Sequence, residues 1–239
     1  MVPIVTAIVL GFIQGLAELF PFSSLGLLVI LPKVAHFVVP TQGARYLPFL
    51  VALHLGTAKK TARVCLFADP DGDRYQPFSE VTRDALLYAL KASLTATEAE
   101  QQRLLEAWYH PVPFPDVRPL LQGLQAERRV ILSNGDSTML QMGLMHSGLD
   151  VLVDGVLNVD QSGRFKPHPD AYQLVIDRFG VDRDEVVFVS SNGWDVAGAA
   201  HFGFRVIWVN RGGAPLEQLS VKPWKMVSSL SEIAPAATE

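Results

Sequence analysis

Two short apolar runs that end in polar side chains constrain the fold of this chain more than any other feature. The runs are RVIL at 129–132 and VVFV at 186–189. The polar residues are Ser133 and Asn134 after the first run, and Ser190, Ser191, Asn192 and Asp195 after the second. Apolar runs of this length between helical segments are typical of strands buried on both faces of a parallel sheet. Ligands bind beyond the carboxyl ends of such strands, so we expect these side chains to converge on one cleft, although each taken singly is also a common helix cap.

Helical and strand-like segments alternate through most of the chain. Helical periodicity is found at 83–93, 97–109, after Asp136 and at 170–179, and further strand candidates are 151–157 and 205–210. Lys166 precedes Pro167 on a loop that leads into the helix at 170–179. This alternation predicts an α/β fold with a Rossmann-like parallel sheet.

Charge and cysteine content exclude several classes of function. The net charge is −4, and the Lys and Arg residues are scattered, so we expect no nucleic-acid partner. Cys65 is the single cysteine, which excludes an internal disulfide and a cysteine-based metal cluster. A reducing compartment suits this cysteine usage, and we expect the second part of the chain to be cytoplasmic.

The first 58 residues differ in composition from the rest. Their charged residues are Glu18, Lys33 and Arg45, and the opening stretch MVPIVTAIVLGFIQGLAELF is close in length to a membrane span. We therefore expect a hydrophobic helical segment and a poorly soluble chain, with better behaviour for a chain that begins near Lys59. Buried helices of a soluble core are the alternative, since prolines interrupt every long apolar run.

The motif GFIQGLAELFPFSSLG, with HLGT further on, resembles the start of the undecaprenyl-diphosphate phosphatases, which are integral membrane enzymes. The resemblance covers about residues 4 to 58 and rests on Gln14, Glu18, Pro21, Ser23, Ser24 and Gly26. Leu27 stands where that family has a histidine, and the second catalytic segment of the family is missing. The resemblance therefore implies membrane association through residues 1–58 and not phosphatase activity.

A second resemblance covers residues 75–233. The pieces ILSNG, FKPHPDAY, FVSSNGWD, HFGF and WVNR resemble, in order and spacing, the type II L-2-haloacid dehalogenases of the haloacid dehalogenase superfamily. The stretch RYQPFSEVTRDALLYAL resembles the later part of the helical cap of that family. The resemblance implies a Rossmann-like core with a truncated cap, a short L-2-haloacid as substrate, and a homodimer as one assembly.

The family's functional roles fall on named positions of this chain. By this resemblance, Ser133 and Asn134 hold the carboxylate or halide side of the substrate, Tyr172 lines the pocket, and Ser190 and Asn192 position the substrate carboxylate. The resemblance also implies that Lys166 balances the negative charge of the nucleophile and that Asp195 orients Lys166 or the hydrolytic water. The SSNGWD loop carries one acid, where magnesium-dependent relatives have a pair. The resemblance therefore implies a reaction without a metal or other cofactor.

The attacking aspartate of that family is missing from its usual place near the N-terminus. The first aspartate of the chain is Asp69, which follows the apolar run Val64 to Ala68 in ARVCLFADPDGD. If that run is the central strand of the sheet, Asp69 is the candidate nucleophile, whereas the alternative is an ordinary turn, since DPDGD is also a strong turn sequence. Slow turnover is expected in the first case and no turnover in the second. A non-catalytic, membrane-associated fusion protein is the alternative of a different class.

These observations divide the chain into four segments. We predict a hydrophobic helical segment at 1–58, a junction with a candidate strand at 59–74, a partial helical cap at 75–117, and a haloacid dehalogenase-like core at 118–239.

Overall fold

The fold is built from strands and helices that alternate along most of the chain. The computed structural model describes residues 7–12, 75–93, 97–124, 126, 128–215 and 221–233. The strands are β1 (Ala7–Phe12), β2 (Arg128–Ser133), β3 (Gly155–Asn158), β4 (Val186–Ser190), β5 (Arg205–Val209) and β6 (Lys225–Val227). The α-helices are α1 (Phe78–Ser93), α2 (Glu98–Glu106), α3 (Val117–Gly123), α4 (Ser137–Ser147), α5 (Pro169–Phe179) and α6 (Gly193–Phe202).

The six strands form one parallel sheet in the order β3-β2-β1-β4-β5-β6. Alternate residues of each strand point to opposite faces, so the sheet has two cores. On one face Ile131, Val187 and Ile207 pack with residues of α1, α3 and α4. On the other face Val130, Phe188 and Trp208 pack with residues of α5 and α6. The α/β fold with a parallel sheet that the sequence predicts is therefore confirmed.

The central strand is β1, and this corrects two expectations. Ala7 to Phe12 pair with Arg128 to Ser133 on one side, and Ala7 to Leu10 pair with Val186 to Val189 on the other. The expectation of an apolar helix is wrong for residues 7–12, because a short apolar run alone does not distinguish a buried strand from a helix. The β-branched Ile8 and Val9 suit a strand that is paired on both sides.

The position between β2 and β4 that was expected for the run Val64 to Ala68 is occupied by β1. Asp69 and the rest of residues 13–74 lie outside the described residues. The predicted membrane-associated segment 1–58 is thus described only at β1, and the phosphatase resemblance is not shown by the structure. Among the helices that the structure describes, none has the length and apolar character needed to cross a bilayer.

The first helix of the predicted cap segment begins earlier than the helical periodicity at 83–93 indicates. Helix α1 starts at Phe78, directly after Pro77, whose carbonyl accepts a hydrogen bond from Val81 at 3.2 Å. The first turn of α1 contacts the core, since the Phe78 ring lies 6.0 Å from the Phe165 ring between centroids. The division of the chain into four segments stays a prediction.

Candidate active site

A buried ion pair lies at the carboxyl edge of the sheet. The Lys166 amine donates to Asp195 Oδ2 at 2.8 Å, and both side chains are fully excluded from solvent. Ser190 Oγ donates to the same carboxylate oxygen at 3.2 Å, and Tyr172 Oη donates to Oδ1 at 2.7 Å. Burial of a charge is tolerated when it is paired and hydrogen-bonded, and this carboxylate has three donors.

The local fold brings these groups together from three segments. Ser190 is the last residue of β4, Asp195 lies in the first turn of α6, and Lys166 lies on the loop before α5. The Lys166 amine also lies 5.3 Å from the centroid of the Phe188 ring, which adds a cation–π contact from β4. Ser190, Asp195 and Lys166 therefore lie together at the carboxyl edge of the sheet, as the sequence pattern predicts.

Tyr172 stays a hydrogen-bond donor in this cluster. Burial raises its pKa well above the ordinary value, and the negative charge of Asp195 and the hydrogen bond to it raise the pKa further. Its ring packs against Phe188 and Phe202, each at 5.7 Å between centroids, and against Phe204 at 6.0 Å. The side chain is fully buried, and its hydroxyl group holds the Asp195 carboxylate in place through the hydrogen bond to Oδ1.

Asn134 contacts the main chain of Lys166. Its Oδ1 accepts from the Lys166 amide at 2.8 Å, and its Nδ2 donates to the Lys166 carbonyl at 3.4 Å. The neighbouring Ser133 Oγ accepts from the Gly135 amide at 2.9 Å. Of the two residues that the family resemblance assigns to the substrate, Asn134 thus also holds the loop that carries Lys166, while Ser133 bonds within its own turn.

Asn192 offers a free donor next to the cluster. Within the described part of the chain its Nδ2 is buried and has no hydrogen-bond partner, while its main-chain amide donates to Ser190 Oγ at 3.3 Å. An unpartnered buried amide is costly, and an acceptor atom of a ligand would satisfy it. This geometry is compatible with the predicted contact of Asn192 with a substrate carboxylate.

Gly198 lets α6 approach the cluster closely. A Cβ atom at this position would lie 2.6 Å from Pro167 Cβ and 2.6 Å from Tyr172 Oη. Sequence reasoning missed this requirement, and it also missed Asp136, which caps α4. A signal existed for Asp136, because an aspartate directly before a helical run is a common N-cap.

Comparisons with known proteins decide the family. A sequence model of haloacid dehalogenase-like hydrolases matches residues 45–203. This chain belongs to that family. The haloacid dehalogenase-like chain is 39% identical over 165 residues to the (S)-2-haloacid dehalogenase 4A of Burkholderia cepacia, and the match covers 68% of this chain and 71% of the relative. It is 38% identical over 153 residues to the haloacetate dehalogenase H-2 of Moraxella sp. (strain B), covering 63% and 68%.

Solved structures agree with this assignment to the haloacid dehalogenase-like family. The L-2-haloacid dehalogenase of Xanthobacter autotrophicus superposes with a TM-score of 0.81 at 30% identity and covers 98% of both chains. The same enzyme with chloropropionic acid covalently bound superposes with a TM-score of 0.79 at 29% identity, again over 98% of both chains. The family and the α/β fold are therefore shown, while the roles of individual site residues stay predictions.

Proposed function

We propose that this chain is a hydrolase of the (S)-2-haloacid dehalogenase type whose turnover is impaired. The observation that carries the proposal is the buried Lys166–Asp195 pair beside the end of a central strand that has no carboxyl side chain. The chain keeps groups suited to a short L-2-haloacid and lacks a carboxylate at the strand end where the attack would start. Membrane association and a homodimer are separate predictions.

The reaction that the family resemblance implies has two steps. A carboxylate oxygen of the enzyme attacks the 2-carbon of the haloacid, the halide leaves with the bonding electrons, and an ester forms. Water then attacks the carboxyl carbon of that ester and releases the 2-hydroxy acid and the carboxylate. In this scheme Lys166 keeps the attacking carboxylate ionised, and Asp195 keeps the amine in place.

The strand register supports the impairment. Leu10 pairs with Val189, so the following residue Gly11 is level with Ser190, which donates to Asp195. Phe12 pairs with Ser133 at the end of β2. Gly11 and Phe12 thus hold the positions closest to the ion pair along β1, and neither has a side chain that can attack carbon.

The substrate class is proposed from the relatives and from the donors of the site. By their names, the two relatives described in the previous subsection act on (S)-2-haloacids or haloacetate, and a structural relative carries chloropropionic acid as a covalent adduct. In this chain the Asn192 amide and the Lys166 amine are donors that suit a small carboxylate. A short L-2-haloacid satisfies both requirements.

Halide release from L-2-chloropropionate by the full chain is expected to be lower than that of an intact relative by about four orders of magnitude or more, because the described strand β1 has no carboxyl side chain that could attack. An Asp69→Asn variant is expected to show the same low rate. A Gly11→Asp variant supplies a carboxylate level with Ser190 and is expected to release more halide than the unmodified chain. Chloride is measured by ion chromatography.

Two results would contradict the impairment. Release at an ordinary enzymatic rate that Asp69→Asn leaves unchanged requires a nucleophile elsewhere in the chain. Release at that rate that Asp69→Asn abolishes would make Asp69 the nucleophile, although β1 holds the central position of the sheet.

A non-catalytic, membrane-associated protein related to the undecaprenyl-diphosphate phosphatases is the second candidate. It is favoured by the scarcity of charge in residues 1–58, which is a property of the sequence. It predicts that the full chain sediments with membranes after an alkaline carbonate wash and leaves them only in detergent. A monodisperse full-length protein obtained without detergent would contradict this candidate.

A further inference from the structure

One carboxylate joins the first turns of two helices. Asp136 Oδ1 accepts from the Met139 amide in α4 at 3.0 Å, and Asp136 Oδ2 accepts from the Ser79 amide in α1 at 3.0 Å. The residue is 8% exposed. Each oxygen therefore binds a different helix. Helix α1 lies in the predicted cap segment 75–117, whereas α4 follows β2.

Both contacts use amides that have no partner within their own helix. Ser79 is the second residue of α1 and Met139 is the third residue of α4. The first amides of a helix lack intrahelical acceptors, and the helix dipole makes this end favourable for a negative charge. A single carboxylate between two such ends holds them at a fixed separation.

The loop that carries Asp136 also holds the lysine of the ion pair. Two residues before Asp136, the Asn134 side chain is hydrogen-bonded to the amide and the carbonyl of Lys166. Phe165, the residue before Lys166, packs its ring against Phe78, the residue before Ser79. The contacts form a closed ring that runs from α1 through Asp136 and Asn134 to Lys166 and back through Phe165.

We propose that Asp136 is a positioning residue that fixes α1 on the core and couples the placement of α1 to that of Lys166. The carboxylate acts through the two helix ends and does not touch the ion pair itself. The inference goes beyond the proposed function, since it concerns the arrangement of the site and holds whether or not the chain turns over a haloacid.

Two variants of the full chain separate the two contacts. Asp136→Asn keeps the size of the side chain but leaves one acceptor oxygen, so one of the two helix ends must face an amide NH₂ group. Asp136→Ser keeps a favourable N-cap for α4. The serine side chain is shorter, uncharged and has a single oxygen, so it cannot also accept from the Ser79 amide. Asp182→Ser is the matched control, because Asp182 caps only the turn Arg183–Glu185.

Amide hydrogen exchange measured by NMR is the primary readout. In Asp136→Ser we expect exchange at Ser79 and in the next turn of α1 to become about tenfold faster, while the amides of α4 change by roughly a factor of three or less. In Asp136→Asn we expect faster exchange in the first turn of whichever helix, α1 or α4, faces the amide NH₂ group. Asp182→Ser is expected to leave the exchange of α1 unchanged.

A spectroscopic signature tests the placement of α1 separately. The ring of Trp108 lies 6.5 Å from that of Phe78, and Trp208 Nε1 donates to the Ser191 carbonyl within the core. With 5-fluorotryptophan incorporated, we expect the ¹⁹F resonance of Trp108 to shift or broaden in both Asp136 variants and that of Trp208 to stay in place. Unchanged exchange of α1 in both variants, or an equal loss of protection in α1 and α4 of Asp136→Ser, would overturn the proposal.

Discussion

Replacing Lys166 by methionine is expected to lower the free energy of unfolding by about 3 to 5 kcal/mol, because it removes one partner of a buried ion pair. The variant leaves the Asp195 carboxylate with Tyr172 and Ser190 as donors in a site that is closed to solvent. Two neutral donors do not replace an ammonium group at 2.8 Å. Urea denaturation followed by circular dichroism measures the change.

A matched control is available on the surface of the same sheet. Arg129 and Asp154 form an ion pair at 3.1 Å whose side chains are 27% and 36% exposed. Arg129→Met is expected to cost about 1 to 2 kcal/mol, because water and salt screen the exposed pair and the variant also loses a hydrogen bond of 2.9 Å from Arg129 to the Leu121 carbonyl. Equal losses for the two methionine variants would show that Lys166 is not held as a buried charge.

A double variant separates the lost pairing from the cost of the charge left behind. Asp195→Asn together with Lys166→Met removes both charges and keeps an acceptor for Tyr172. We expect this double variant to be more stable than Lys166→Met alone, since the buried unpaired charge is the larger cost. A double variant that is less stable by the sum of both single changes would contradict this reasoning.

Gly198→Ala is expected to destabilise the protein by about 2 to 3 kcal/mol, although alanine favours helices over glycine by about 1 kcal/mol. The added methyl group would lie 2.6 Å from Pro167 Cβ and from Tyr172 Oη. Tyr172 would have to move away from Asp195, which weakens a hydrogen bond of 2.7 Å. The shift in the midpoint of urea denaturation measures the effect.

The control for Gly198 is another helical glycine. A Cβ atom at Gly123, the last residue of α3, meets nothing within 4 Å. Gly123→Ala is expected to be neutral or slightly stabilising, because only the helix preference acts there. If both alanine variants behaved alike, the close approach of α6 to Tyr172 would not matter for stability.

Sequence reasoning located the strand ends because their chemistry is local. The runs before Ser133 and Ser190 are apolar and β-branched, and in parallel sheets the residues after such strands lie at one edge. That rule brings Lys166, Ser190 and Asp195 to one place, and the structure has them in contact. Their catalytic roles rest on the family resemblance and stay predictions.

Other features depended on contacts that the sequence does not encode locally. Strand β1 was assigned to an apolar helix because residues 7–12 lie within a long apolar stretch and the pairing partners are far away in the chain. The contacts of Asn134 with Lys166 and of Asp136 with Ser79 each join residues from separate segments. The local sequence around Gly198 did not indicate that a glycine is needed there, since the atoms that leave no room for a side chain belong to Pro167 and Tyr172.

The position of β1 has a consequence for how the chain can be synthesised and shortened. Ala7 pairs with Arg128 and Val186, so during synthesis β1 stays unpaired until β2 and β4 have been translated. Contacts over such long loops slow folding, and an unpaired apolar strand is prone to aggregate before its partners emerge. A chain that begins at Lys59 would leave the facing edges of β2 and β4 without the strand that separates them. We therefore expect such a shortened chain to aggregate, contrary to what the composition of the first 58 residues suggests.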